Sequence, residues 1–311
     1  MQIKRYLFTG ESRLRTPLRL LIAGISLLLT LFLGRVALQQ FDLPRSGVLR
    51  LAVSQSTIAV IACGVLWVII RYVDQRNPSE YGLVPLTTQW LKECMVGIFV
   101  AGGLIVAIAG AGLWIDAVQI MGVLSTQPES RFITAQSSET MISIFSKLLA
   151  ILMFVIAVAV AEEVMIRGYL LPNVESGLTA LSDRYATPGA VIITSGLFAL
   201  LHIQNPNASL LSTFNTFLAG VWFATAYVFT RQIGLAVGLH FGWNLFLGAG
   251  VGLPVSGFFF PITVIDLGIN TPSVFLGDSY GPEAGLFVSL GVVIGIIIIS
   301  RYRKRPDVNI E

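Results

Sequence analysis

The apolar run Ile142–Val160 leads directly into Ala161-Glu162-Glu163-Val164-Met165-Ile166-Arg167. Such a run has the length of a bilayer span, which takes about 20 mostly apolar residues. A charge near the middle of a span costs roughly 2.5–3.5 kcal/mol on insertion scales. Three ionisable groups are kept at this place only if they are paired, solvated or used. That requirement restricts the fold more than any other feature of the chain.

The rest of the sequence agrees with a membrane setting. Of 311 residues, 55% are hydrophobic and 12% charged, with a mean hydropathy of +0.80. Soluble domains carry about a quarter charged residues. The expected fold class is all-α, a polytopic membrane helix bundle of about eight transmembrane helices. The net charge of +3 is no nucleic-acid signal. Its basic residues sit in short clusters between apolar runs, as membrane topology requires. Cys63 and Cys94 show no metal spacing and read as small packing residues. The N-terminus does not read as a signal peptide, because a polar, basic stretch precedes the first apolar run.

The spans are expected near Pro17–Gly34, Val48–Ile70, Met95–Ile115, Met141–Leu171, Pro188–His202, Ala208–Thr230, Ile233–Gly248 and Ala284–Ser300. The third is rich in Gly and Ala, which lets helix backbones approach closely in lipid. The fourth is roughly 46 Å long if fully helical, so it should tilt or project. Three regions follow: 1–140 with three helices and an outward loop, 141–250 as a catalytic core of four helices, and 251–311 with an outward loop, the last helix and a basic tail.

Fifteen Lys and Arg fall on one side: Lys4, Arg5, Arg13, Arg15, Arg19, Arg71, Arg76, Lys92, Arg167, Arg184, Arg231, Arg301, Arg303, Lys304 and Arg305. Four fall on the other: Arg35, Arg45, Arg50 and Arg131; Lys147 lies within the fourth helix. The positive-inside rule then puts both termini in the cytoplasm of a multi-pass cell-membrane protein. The outward loops 116–140 and 251–283 read as connectors, or as partial cover over the bundle.

The only two histidines occur as Phe198-x-x-x-His202 and His240-x-x-x-Asn244, both in predicted spans. Residues four apart share a helix face. A single His on an apolar face is usually structural. Here His, Glu and Asn all fall in neighbouring spans, which weakens that reading. Glu163 and Arg167 can pair along one face, whereas Glu162 is turned about 100° away and is free to enter the bundle. Amide hydrolysis suits such a set. A carboxylate helped by His deprotonates water, and a second His with an Asn stabilises the oxyanion. Ser195 is poorly placed to act as a nucleophile with His202.

Glu162-Glu163-x-x-x-Arg167, Phe198-x-x-x-His202 and His240-x-x-x-Asn244, in this order, resemble the motifs of the type II CAAX prenyl proteases and the related bacterial Abi proteins, over roughly Ser143–Gly250. The resemblance implies an intramembrane endopeptidase acting on a peptide or prenylated protein. It implies that Glu162 and His202 activate water, that His240 and Asn244 form the oxyanion hole, and that Glu163 and Arg167 orient Glu162 and its helix. Phe198 belongs to the same motif.

Two issues stay open in the sequence. His202, His240 and Glu162 could hold zinc as two N and one O, but the HExxH helix is absent, which favours a metal-free site with no cofactor. The family also includes non-proteolytic immunity or scaffolding proteins. A proton-coupled transporter is disfavoured because no inverted repeat is present. Depth poses a further difficulty. His202 lies four residues before Pro206, so a straight helix would set it nearer the outer face than Glu162.

Overall fold

The computed structural model describes residues 14–39, 47–84, 86–125, 141–270 and 273–302. Lys4, Arg5, Arg13, Arg45, Arg131, Arg303, Lys304 and Arg305 lie outside the described residues. The helices are α1 (Thr16–Leu38), α2 (Val48–Val68), α3 (Thr88–Trp114), α4 (Met141–Glu163), α5 (Leu171–Thr179), α6 (Asp183–Leu201), α7 (Leu210–Thr230), α8 (Gly234–Asn244) and α9 (Leu286–Ser300). All but the short α5 correspond to the eight helices expected from the sequence. Large apolar side chains such as Leu28, Phe32, Val60 and Phe99 face outward, as in a protein solvated by lipid. The chain is a polytopic helical membrane protein.

Five helical stretches are long and apolar enough to cross a bilayer: Thr16–Val36, Val48–Val73, Thr88–Trp114, Met141–Thr179 and Asp183–Leu201. The other three expected spans fall short for physical reasons. α7 is interrupted by Ser212, Asn215 and Thr216. α8 has 11 residues and is enclosed by other helices. α9 has 15 residues.

The long fourth span differs in detail from expectation. It ends its α-helical part at Glu163, widens into a π turn at Val164–Leu170, and continues as α5 to Thr179. A second π turn, Leu245–Gly250, follows Asn244 at the end of α8. Such wide turns are frequent at functional sites. α6 starts at Asp183, earlier than expected, and keeps Pro188 inside it.

α8 is the centre of the bundle. Leu235, Ala236 and Leu239 are fully buried, and α8 packs on α3, α4 and α7. The α3–α8 contact is backbone against backbone. A Cβ on Gly97 would come within 2.5 Å of the Leu239 nitrogen, and one on Gly238 would meet the Cys94 carbonyl oxygen. The close packing expected of the Gly-rich third helix is thus realised against α8. Cys63 and Cys94 are free and pack beside apolar neighbours.

Behind α5, Asp74 is fully buried among Tyr81, Tyr169, Asn173 and Arg19. Tyr81 donates to Asp74 Oδ2 at 2.6 Å, and Asn173 Nδ2 donates to the Tyr169 carbonyl oxygen at 3.0 Å. This polar knot ties α1 and the end of α2 to the π turn that carries Arg167. Burying such groups is tolerable only because they satisfy one another.

Two strands join the loops that follow α3 and α8. β1 (Val118–Ser125) runs antiparallel to β2 (Thr263–Ile269), pairing Val118 with Ile269 and Ser125 with Thr263. The described residues of 251–283 act as the partial cover that was the second reading of this loop: they close over the turn between α6 and α7, where Gly257 abuts the Pro206 carbonyl oxygen.

Candidate active site

Glu163 and Arg167 lie behind the site and have no exposed side-chain surface. Arg167 Nη1 donates to Glu163 Oε1 at 2.9 Å, and Nη2 donates to the Gly220 carbonyl oxygen of α7 at 3.0 Å. The guanidinium also stands 4.6 Å from the Phe198 ring centroid and 5.2 Å from that of Phe223. Glu163 Oε1 receives a second donor, His240 Nδ1, at 2.9 Å. The resemblance implied that Glu163 and Arg167 orient Glu162 and its helix; in the structure Arg167 ties that helix to α7 through Gly220, and Glu163 also holds His240 of α8.

Glu162 lines the cavity on the other side of this pair. Its Oε2 stands 4.0 Å from His202 Nε2 and 3.9 Å from His240 Nε2. Both separations exceed a direct hydrogen bond. This oxygen has no hydrogen-bond partner among the described residues. His202 caps the C-terminus of α6, and its Nδ1 lies 2.8 Å from the Phe198 carbonyl oxygen. A carbonyl only accepts, so Nδ1 carries the proton and Nε2 is the free nitrogen facing Glu162.

The aromatic surroundings fix both imidazoles. Phe223 stacks on His240 at 5.0 Å with 14° between planes, and Phe198 meets the His202 ring at 4.7 Å. Phe198, His202, His240, Asn244 and Glu162 all line one cavity of about 380 Å³. That volume suits a short peptide segment or a small ligand. Ser195 is buried against Gly220 and does not line it.

Glu162 lies inside a 39-residue helical stretch, Met141–Thr179, and His202 is brought to it at the end of α6. The α6–α7 turn is roofed by 251–283, so His202 is enclosed although it ends its helix.

The roof, which sequence reasoning read as a connector or as partial cover over the bundle, also brings residues to the site that this reading did not foresee. Glu283 lines the cavity together with Ser256 and Phe258. Its Oε1 accepts Trp243 Nε1 at 3.0 Å, and its Oε2 accepts Ser256 Oγ at 3.2 Å and the Ser256 backbone N–H. Its own carbonyl oxygen accepts Asn215 Nδ2 at 2.9 Å. Glu283 follows Asn244 by 39 positions with no helical spacing to reveal it. Asn215 could have been found, since an amide within an apolar helix needs a partner.

The zinc alternative would place the ion among Glu162, His202 and His240, and their separations show how far the side chains would have to close. Two ligand atoms on one tetrahedral zinc stand roughly 3.3 Å apart, given bonds near 2.0–2.2 Å. Glu162 Oε2 is 3.9 and 4.0 Å from the two histidine nitrogens. Among the described residues no three His, Cys, Asp or Glu side chains are arranged to hold a metal ion.

Compared with known proteins, residues 144–246 match the family model described as type II CAAX prenyl endopeptidase Rce1-like. Residues 144–246 are similar to the Rce1-like family. The Rce1-like segment runs from α4 to the first residues of the π turn after α8, and so holds Glu162, His202, His240 and Asn244. The roof lies beyond it. No curated protein and no solved structure matches the chain.

Proposed function

We propose that this protein is an intramembrane endopeptidase that hydrolyses a peptide bond with a water activated by Glu162 and His202. The observation that carries the reading is the convergence of Glu162 Oε2 with both histidine Nε2 atoms at 3.9 and 4.0 Å. The Rce1-like segment supports it, since that family is one of proteases acting on peptide or protein substrates in a membrane context.

The chemistry follows from the donors and acceptors. Glu162 Oε2 and His202 Nε2 are two acceptors about 4 Å apart. A water about 2.8 Å from each gives one hydrogen bond to each, so its lone pair is free for the scissile carbonyl carbon. As the carbon–oxygen bond forms, one water proton passes to Glu162. The carbonyl oxygen gains negative charge and is met by the Asn244 amide N–H and His240 Nε2–H. With Nδ1 donating to Glu163, His240 Nε2 bears a proton when the ring is cationic, and Glu163 is the counter-charge for that form. Breakdown then breaks the C–N bond, and the proton held by Glu162 goes to the leaving amine. None of these steps uses a metal.

The test is cleavage of fluorogenic peptides by the purified full-length protein, wild type beside Glu162→Gln. Glu162→Gln keeps the shape of the side chain but cannot take the proton. Turnover by wild type and none by the variant, with equal peptide binding, is the expected result. Full turnover in Glu162→Gln overturns the assignment, and binding without turnover in wild type supports a peptide-binding scaffold instead. The same reading puts both termini in the cytoplasm and the roof on the outer side, on the strength of the Lys and Arg distribution.

A further inference from the structure

The geometry points to Glu283 as a specificity-determining residue that binds a cationic side chain, Lys or Arg, of the peptide in the cavity. This rests on the endopeptidase reading above and extends it to the substrate. Three observations support it. The first is charge. The cavity is lined by two carboxylates, Glu162 and Glu283, and by no Lys or Arg among the described residues. Arg167, the cation nearest the catalytic group, is already committed to Glu163 and Gly220.

The second is preorganisation. Glu283 is held at its side chain by Trp243 and Ser256, and at its backbone by Asn215, whose Oδ1 in turn accepts Ser289 Oγ at 2.6 Å. A carboxylate has about four lone-pair sites. Three are taken here, by the Trp243 N–H, the Ser256 N–H and the Ser256 hydroxyl, and acceptor capacity remains for a donor arriving through the cavity. Fixed donors and acceptors of this kind discriminate strongly, because the wrong partner leaves a desolvated group unpaired.

The third is position. Trp243, which Glu283 holds, immediately precedes Asn244 in α8. A side chain bound at Glu283 therefore lies on the same peptide segment that passes Asn244, close to the scissile bond. A charge-assisted hydrogen bond between ammonium or guanidinium and a carboxylate in such a place is about twice as strong as a neutral one.

The experiment uses peptides identical except at one position, which carries Lys, norleucine or Glu and is moved stepwise across the scissile bond. Wild type, Glu283→Gln and Glu283→Lys are compared by kcat/KM. The expected result is a Lys-over-norleucine preference of roughly tenfold or more at one position in wild type, the scale of a hydrogen bond to a charged group. The ratio should collapse to near one in Glu283→Gln and invert towards the Glu peptide in Glu283→Lys. If Glu283→Gln lowers all three peptides by the same factor, Glu283 only props the roof and the proposal fails. It fails equally if wild type shows no preference. If no peptide is cleaved, the same set is measured for binding by fluorescence anisotropy. A Lys preference that vanishes in Glu283→Gln then keeps the subsite while removing the endopeptidase reading, and no preference removes the subsite. Glu283→Gln still offers an acceptor to Trp243, so it is the variant on which the outcome rests should Glu283→Lys fail to fold.

Discussion

The His240 Nδ1–H donates to Glu163 Oε1 at 2.9 Å, so a residue of α8 is oriented by a carboxylate of α4. The same oxygen also receives Arg167. Loss of the carboxylate charge therefore has two effects: a buried guanidinium loses its partner, and an imidazole loses its fixed orientation.

Glu163→Gln is expected to cost about 3–5 kcal/mol of stability, the scale for breaking a fully buried ion pair from one side. Thermal melting in detergent measures it. The double variant Glu163→Gln/Arg167→Met should recover part of that loss, because no charge is then left unpaired. Equal melting of the single variant and wild type would show that the pair is not sealed from water.

Asn244→Ala should reduce kcat by about 10²–10³ with little change in KM, the usual effect of removing one oxyanion donor. The two groups expected to meet the oxyanion, His240 and Asn244, stand one turn apart on α8, and both line the cavity. If Asn244 serves only helix packing, the variant melts earlier yet turns over normally. Kinetics and melting on one preparation distinguish the outcomes.

Chelation tests the metal alternative directly. A site working without a metal keeps its activity after phenanthroline and dialysis, with substoichiometric zinc by elemental analysis. Added Zn²⁺ should inhibit by drawing His202 and His240 together. Activity lost with stoichiometric zinc and restored by its return would require the side chains to close on the metal from their present 3.9–4.0 Å separations.

Orientation is read by single cysteines on a Cys63→Ala/Cys94→Ala background. Val274 of the roof is 57% exposed and Leu181, between α5 and α6, is 84% exposed. Val274→Cys should react with an impermeant maleimide on intact cells, and Leu181→Cys only after lysis. The reverse pattern would invert the topology.

Glu283 lies ahead of α9, outside the spans, and burial pushes its carboxyl above the ordinary 4.5, opposed by the Ser256 and Trp243 N–H groups and by His202. Its protonated form is thus favoured by folding. The stability this gives is complete below pH 4.5 and is lost as pH rises through the raised value. Melting temperature should therefore fall with rising pH over that window in wild type, less so in Glu283→Gln. Parallel profiles would mean that water reaches the carboxyl freely.

Much of the bundle and the inner site could be read directly because helices impose a phase. The 100° step from Glu162 to Glu163 separates a cavity carboxylate from a buried ion pair, and the four-residue spacing brings Phe198 to His202. What spacing does not encode was missed. Glu283 reaches the site through a strand pairing and a 3₁₀ turn at Pro282–Ala284, neither of which leaves a period in the sequence. Phe223 looked like any other apolar residue of α7, although its ring lies flat against His240. The π turns after Glu163 and Asn244 are also invisible to a pattern that counts 3.6 residues per turn. The fourth span was ended too early because Pro172, Asn173 and Glu175 interrupt the apolar pattern in α5.

The absence of side chains between α3 and α8 at Gly97 and Gly238 gives the site a fixed datum. Two backbones in direct contact have no soft layer to absorb a displacement, so α8 moves as a rod or not at all. A methyl group added at Gly238 would meet the Cys94 carbonyl oxygen and push the whole rod sideways. His240 and Asn244 would then shift in step, keeping their distance from each other while losing their distance from Glu162 and His202. Damage at a glycine that does not line the cavity would read out as misalignment between the α8 pair and the Glu162–His202 pair.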